Sequence, residues 1–320
     1  MQVIYTGEAG KVASRDVLSR TIAELSEKDD RVIYLDADLM SCINTQQWGN
    51  AHPERAINVG IAEANMVGVA AGLSLTGFKP IIHSFGPFAS RRCFDQVFLS
   101  GGYGRNGMTI IGSDPGVTAT LNGGTHMPFE DIALYRTIPD ATIVEISDSH
   151  MIANVLPQLI ELPGVKYLRT GRKTAIKVYS EDTQVPIGKG LTLREGKDVT
   201  IIACGLMVQK ALEAEEILRA EGIEATVVDM FTIKPLDREL VAKCAAETGA
   251  IVAAENHNTN GGLCDAVARA VAETCPVPVE TVAVEDLYGQ VGTQGFLEEE
   301  YGLTTAHVVA AAKAAIARKK

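Results

Sequence analysis

One acid in this chain stands where its chemistry would be out of the ordinary. Glu63 closes the run Asn58-Val59-Gly60-Ile61-Ala62 and opens Ala64-Asn65-Met66-Val67-Gly68. That pattern reads as a strand turning into a helix whose face carries the small residues Gly68, Ala71 and Gly72. An acid in a first helical turn is ordinarily solvated and favoured by the helix dipole. In a dry cleft a carboxyl can instead share a proton with a ring nitrogen. Two aromatics, Phe85 and Phe88, follow at a strand end in a chain with only 5% aromatic residues. They would pack in a core by default, or offer a ring face for stacking. His126 lies in a glycine-bounded loop, Asn122-Gly123-Gly124-Thr125-His126. A histidine there suits hydrogen bonding or proton transfer near neutrality.

Other candidates fall away. Gly102-Tyr103-Gly104-Arg105-Asn106-Gly107 spells a dinucleotide fingerprint, but it follows a helix and precedes a strand, the reverse of the order phosphate binding requires. The six cysteines (42, 93, 204, 244, 264, 275) form no CxxC pair and read as reduced cytosolic thiols. A net charge of −11 argues against nucleic acid and anionic membranes, though a few local cations would still hold a phosphorylated substrate. No apolar run reaches the length of a membrane span and residues 1–10 lack a basic leader, so a cytoplasmic protein is expected.

The elements that must position these residues alternate between helix and strand, which predicts an α/β fold with mainly parallel sheets and helices on both faces. Strands are expected at 32–35, 56–59, 80–83, 108–111 and 141–144, with helices at 15–26, 61–75 and about 90–99. Gly77 would end the second helix. A polar Gly/Pro stretch suggests a domain boundary, giving domains at 1–180 and 192–320 joined by a linker at 181–191. Beyond it strands are expected at 199–203, 225–229, 250–254 and 279–284. Helices are expected at 208–220, 235–247, 262–273 and 306–318, the last capped by Thr304 or Thr305 and closed by Arg318, Lys319 and Lys320.

Taken together, the segment around Glu63, the Phe85/Phe88 pair and the run Gly123-Gly124-Thr125-His126-Met127-Pro128-Phe129-Glu130-Asp131 resemble the pyrimidine-binding half of the transketolase family. These enzymes use thiamine diphosphate. The resemblance implies that Glu63 activates the cofactor at its pyrimidine N1′, with Phe88 stacked on the aminopyrimidine and Phe85 completing the pocket. Asp38 and Arg91 fall on the cofactor side, Arg91 standing where transketolases usually carry tyrosine and deoxyxylulose-phosphate synthase an arginine. His126 would face the reacting carbonyl. Arg169, in Tyr167-Leu168-Arg169-Thr170, and Arg15 would hold the substrate phosphate. Two substrate-side positions depart from the family: Asn122 replaces an aspartate and Ser113 a histidine. The stretches 227–237, 255–257 and 261–262 resemble the family's C-terminal domain, where His257 reads as structural.

The chain contains no Gly-Asp-Gly, the family's diphosphate and metal motif. The resemblance therefore implies the C-terminal subunit of a split enzyme. A partner would supply the diphosphate-binding domain with its Mg²⁺ or Ca²⁺, in an assembly of two copies of each chain. The expected reaction moves a two-carbon ketol unit between sugars or sugar phosphates. The β chain of a 2-oxo-acid dehydrogenase shares the length and plan, but its Ser-Glu and Gln-His-Ser segments are replaced here. A deoxyxylulose-phosphate-synthase-like enzyme is a further alternative. A non-catalytic scaffold is opposed by the presence of both Glu63 and Phe88.

Overall fold

Short apolar runs bounded by turns become strands, and the longer stretches between them become helices. The computed structural model describes residues 3–180 and 183–319. In chain order the strands are β1 Val32–Asp36, β2 Ala56–Asn58, β3 Lys79–Phe85, β4 Met108–Ser113, β5 Thr142–Glu145 and β6 Val165–Thr170. They continue with β7 Leu191–Arg194, β8 Val199–Ala203, β9 Ala225–Asp229, β10 Thr232–Lys234, β11 Ile251–Asn258 and β12 Val279–Val284. The first sheet runs β10-β5-β6-β4-β3-β1-β2 and the second β12-β11-β8-β9-β7. Every pairing is parallel except β10 with β5 and β7 with β9. The fold is therefore two mainly parallel α/β sheets. Among the described residues no helix is long and apolar enough to cross a membrane.

The topology marks one place for a site. From β1 the chain steps to β2 on one side and returns to β3 on the other, so strand order reverses there. In open parallel sheets the crevice outside the carboxyl ends at such a reversal is where ligands bind. The helix Glu63–Leu75 delivers Glu63 to that edge after a turn at Gly60, whose positive φ of 72° a side chain would resist. Gly77, at φ 92°, follows the far end of that helix.

Several expected elements differ. The helix expected near 90–99 is broken into Gly86–Ala89, Arg91–Cys93, Phe94–Gln96 and the π-helical Val97–Tyr103. Pro87 starts a helix directly at the strand end, and Ser90 leaves helical geometry at φ −111° and ψ −89°. The helix Ser149–Glu161 and strand β6 had no counterpart among the expected elements. Asp148 caps that helix by accepting the amide of His150. In the second half β8, β9, β11 and β12 lie close to their expected places while β7 and β10 had no expected counterpart, and Thr304 caps the helix Thr305–Ala317. Of the expected linker, residues 181 and 182 lie outside the described residues, as does Lys320, while Leu191 already belongs to β7.

The two sheets are tied together across their contact. β10 leaves the second half of the chain to join the first sheet. Asn256 on β11 accepts the amide of Val117 and donates to the carbonyl of Pro115. Arg136 donates to the carbonyls of Gly261 and Gly262, and Phe129 packs edge-on against Tyr301.

Candidate functional site

Glu63 is 2% exposed, yet its two carboxylate oxygens differ in partners. Oε1 accepts from the Ser84 hydroxyl at 3.2 Å and from Arg92 at 2.8 Å. Oε2 is buried and meets no hydrogen-bond partner. A buried carboxylate oxygen without a donor is costly, so it marks a place where a ligand's polar atom would be welcome.

Around it the aromatic residues assemble as the sequence suggested. Phe88 meets Phe85 at 6.3 Å and His126 at 5.0 Å between ring centres, both edge-on. His126 also meets Phe85 at 5.7 Å, and its Nδ1 lies 2.9 Å from the Thr125 hydroxyl. Thus Glu63, Phe85, Phe88 and His126 share one crevice at the carboxyl edge of the first sheet. Their residues come from the start of one helix, the end of β3 and the loop after β4.

Two residues that the sequence motifs did not single out complete it. Arg92 places its guanidinium 3.8 Å above the Phe88 ring centre while pairing with Glu63. Arg172 lies 5.0 Å from the centre of the Phe85 ring and pairs with Asp114. Arg172 follows Arg169 by three positions, and the double arginine at 91–92 left Arg92 equally available. Those spacings were the only signals in the sequence.

Three expectations are corrected. Arg91 pairs with Glu130 at 2.7 Å, and it is Arg92 that reaches Glu63 and Phe88. Arg169 is fully buried, bridging Asp131 and Glu145 at 2.8 Å each and donating to the carbonyls of Pro128 and Asn256. Burial alone would pull its pKa down, but Asp131 and Glu145 outweigh that and hold it above its usual range. Fully buried and with all three nitrogens bonded within the protein, Arg169 presents no surface to a phosphate. Ser113 is buried too, its hydroxyl 3.0 Å from His83 Nε2. His83 in turn lies 2.8 Å from Asp36, which also accepts from the Tyr34 hydroxyl. A histidine one strand over therefore sits beside the Ser113 position and engages its buried hydroxyl.

The remaining candidates lie on the rim. Arg15 is exposed and its amide donates to the carbonyl of Arg172, which puts both arginines at one edge. Asn122 is exposed at the end of the turn Gly116–Asn122. Asp38 is exposed, with a positive φ of 66°, and is tied to Asn58 rather than to the aromatic cluster. His257 is buried and accepts the amide of Ala133, in keeping with a structural role. Between the sheets a cavity of about 190 Å³ lies next to Arg172, lined among others by Asp114, Glu145 and Gln209.

A planar, nitrogen-rich ring fits this arrangement. It would stack on Phe88 and present a nitrogen to Glu63 Oε2, as an aminopyrimidine does. Thiamine diphosphate carries such a ring, so the residues present fit its pyrimidine end.

Comparison with known proteins agrees. A family described as "Transketolase, pyrimidine binding domain" matches residues 10–176, and one described as "Transketolase, C-terminal domain" matches 188–308. The chain is 46% identical over 305 residues to the 6-deoxy-6-sulfo-D-fructose transketolase subunit of Clostridium sp. (strain MSTE9), covering 95% of each. It is 34% identical over 293 residues to an apulose-4-phosphate transketolase subunit of Phocaeicola vulgatus, covering 91% of this chain and 94% of that one. A solved structure described as a split gene transketolase, inactive beta4 tetramer, superposes with a TM-score of 0.90 at 40% identity, over 97% of this chain and 100% of that chain.

Proposed function

We propose that this chain, which belongs to the transketolase family, is the pyrimidine-binding subunit of a split ketol transferase. Its partner would be a separate chain carrying the diphosphate-binding domain and its Mg²⁺ or Ca²⁺, in an assembly of two copies of each. The observation that carries the reading is the buried, unpartnered Glu63 Oε2, with Glu63 linked through Arg92 to the Phe88 ring. Relatives of nearly the same length that are named as subunits support the split arrangement.

Bound thiamine diphosphate supplies an electron sink for breaking and making a carbon–carbon bond next to a carbonyl. Glu63 would hold a proton at the pyrimidine N1′, and its burial excludes the water that would compete for it. Phe88 and Phe85 would fix the ring plane. His126, with Nδ1 beside the Thr125 hydroxyl, would place its other ring nitrogen toward the oxygen of the reacting sugar. Arg172 and Arg15 lie at the edge where a terminal anion of the sugar would arrive, and Asn122 would offer a neutral partner to a sugar hydroxyl.

The donor is therefore a ketose with an anionic end, a phosphate or a sulfonate. Both chemistries are consistent with the names of the relatives. The decisive experiment purifies this chain with its co-isolating partner and assays two-carbon transfer from ketose phosphates and sulfonates with thiamine diphosphate and Mg²⁺. Transfer by the mixture and none by either chain alone is expected. Full turnover by this chain alone would refute the split, and light scattering giving a single pair would refute the tetramer.

A further inference from the structure

Arg92 engages, at one time, both groups that would receive a stacked aminopyrimidine, the Phe88 ring face and the Glu63 carboxylate. Its guanidinium lies 3.8 Å above the Phe88 ring centre, and one of its nitrogens donates to Glu63 Oε1 at 2.8 Å. Guanidinium is planar, stacks on aromatic faces and presents N–H groups in its own plane. A second planar group needs about 3.5 Å of its own above a ring. The Phe88 face that Arg92 covers therefore cannot also take a pyrimidine. The side chain is long, 43% exposed and anchored in the short turn Arg91–Cys93, so it has solvent to swing into.

We infer that Arg92 is a placeholder: in the cofactor-free subunit it occupies the pyrimidine position, neutralises the buried Glu63, and must leave when the cofactor enters. This rests on the thiamine diphosphate reading above and adds a cost of entry to it. Glu63 would otherwise be left as an uncompensated buried charge in the empty subunit, a state that proteins avoid. The apparent affinity for a ligand falls by the fraction of sites open to it, so a placeholder closed about nine-tenths of the time weakens binding about tenfold.

Two measurements test this. In the cofactor-free chain, the side-chain nitrogen resonances of Arg92, identified by their loss in Arg92→Lys, should be ring-current shifted and slow to rotate. They should become averaged in Glu63→Gln. An averaged, unshifted Arg92 in the wild type overturns the inference without reference to any cofactor. In the assembled complex, calorimetric titration with thiamine diphosphate should give about tenfold tighter binding for Arg92→Ala than for wild type, with faster association. Equal or weaker binding by Arg92→Ala would make Arg92 a cofactor ligand or a bystander and end the proposal. Absence of any binding by the wild-type complex would instead sink the functional reading, and the resonance measurement tells the two failures apart.

Discussion

Replacing Arg169 by methionine separates a buried structural ion cluster from a substrate clamp. The guanidinium bridges Asp131 and Glu145, and all three side chains are essentially inaccessible. Methionine fills much of the volume but leaves two buried carboxyls without a counterion. Breaking a buried pair by removing one partner costs about 3–5 kcal/mol. A domain has only about 5–15 kcal/mol of total stability, so the loss is a large part of it. At about 2–4 °C per kcal/mol for a chain half of this size, melting should fall by roughly 6–20 °C. The loss should grow with pH. Burial already raises the Glu145 pKa against the opposing pull of Arg169, and a carboxyl raised in the folded state loses stability as pH climbs through that value. Arg172→Met provides the contrast. That residue is partly exposed and loses one carboxylate partner, Asp114, where Arg169 loses two, so its removal should lower the melting temperature less. A lost charge-assisted bond to substrate is worth about 1.5–3 kcal/mol, so KM for anionic sugars should rise about ten- to a hundredfold. Thermal melts and KM with charged and uncharged sugars distinguish the two. Arg169→Met melting within about 2 °C of wild type, with KM raised only for anionic sugars, would refute the reasoning.

Glu63→Gln keeps the shape but cannot share a proton with the pyrimidine. Exchange of the cofactor C2 proton in the assembled complex should slow by about 10²–10⁴, with the melting temperature unchanged. Asp229 is buried, accepts from Tyr179, and is pushed up to about 7, mainly by burial. A carboxyl raised in the folded state contributes stability below its unfolded pKa of about 3.8 that is lost as pH rises to about 7. The wild type should therefore lose on the order of 4 kcal/mol at most between about pH 4 and 7, and Asp229→Asn should remove that slope in denaturant titrations. Gly124→Val should push the 285–293 loop from the His126 loop, since a Cβ there would lie 2.1 Å from the Gly289 carbonyl. A cost of about 1–3 kcal/mol and a fall in kcat are expected, and unchanged activity would show that the two loops are independent.

The sequence made the cluster of Glu63, Phe85, Phe88 and His126 legible because its parts are local motifs. They sit at a helix start, a strand end, the short helix after it and a turn, and their spacing is written in the chain. What it could not show is which member of a close pair turns inward. Arg91 and Arg92 differ by one position in an irregular turn, and only the break at Ser90 decides that Arg92 reaches Glu63. Arg169 read as a phosphate clamp because its partners, Asp131, Glu145 and the Asn256 carbonyl, come from sites up to 87 residues away. Ser113 was misjudged for the same reason, since His83 engages its hydroxyl from the neighbouring strand. Strand β10, three residues long, escaped because the first sheet recruits it from the second half of the chain.

That recruitment changes what the second half of the chain does for the site. In the sequence that half offered only a structural histidine, His257. Here Asn256 clamps the turn at 115–117, where Gly116, at φ 48°, leaves room for it: a Cβ would lie 2.0 Å from the Asn256 oxygen. The same residue's carbonyl receives Arg169, which in turn holds the Pro128 carbonyl just past His126. Gly289 backs the Gly124 end of the same loop. The histidine loop is therefore fixed at its start and its middle by groups from the second sheet and its loops, and beyond its end by Arg169 of β6, which the Asn256 carbonyl helps to hold. A loop so held stays in place without strands of its own, which is how His126 can sit on an irregular segment and still be positioned.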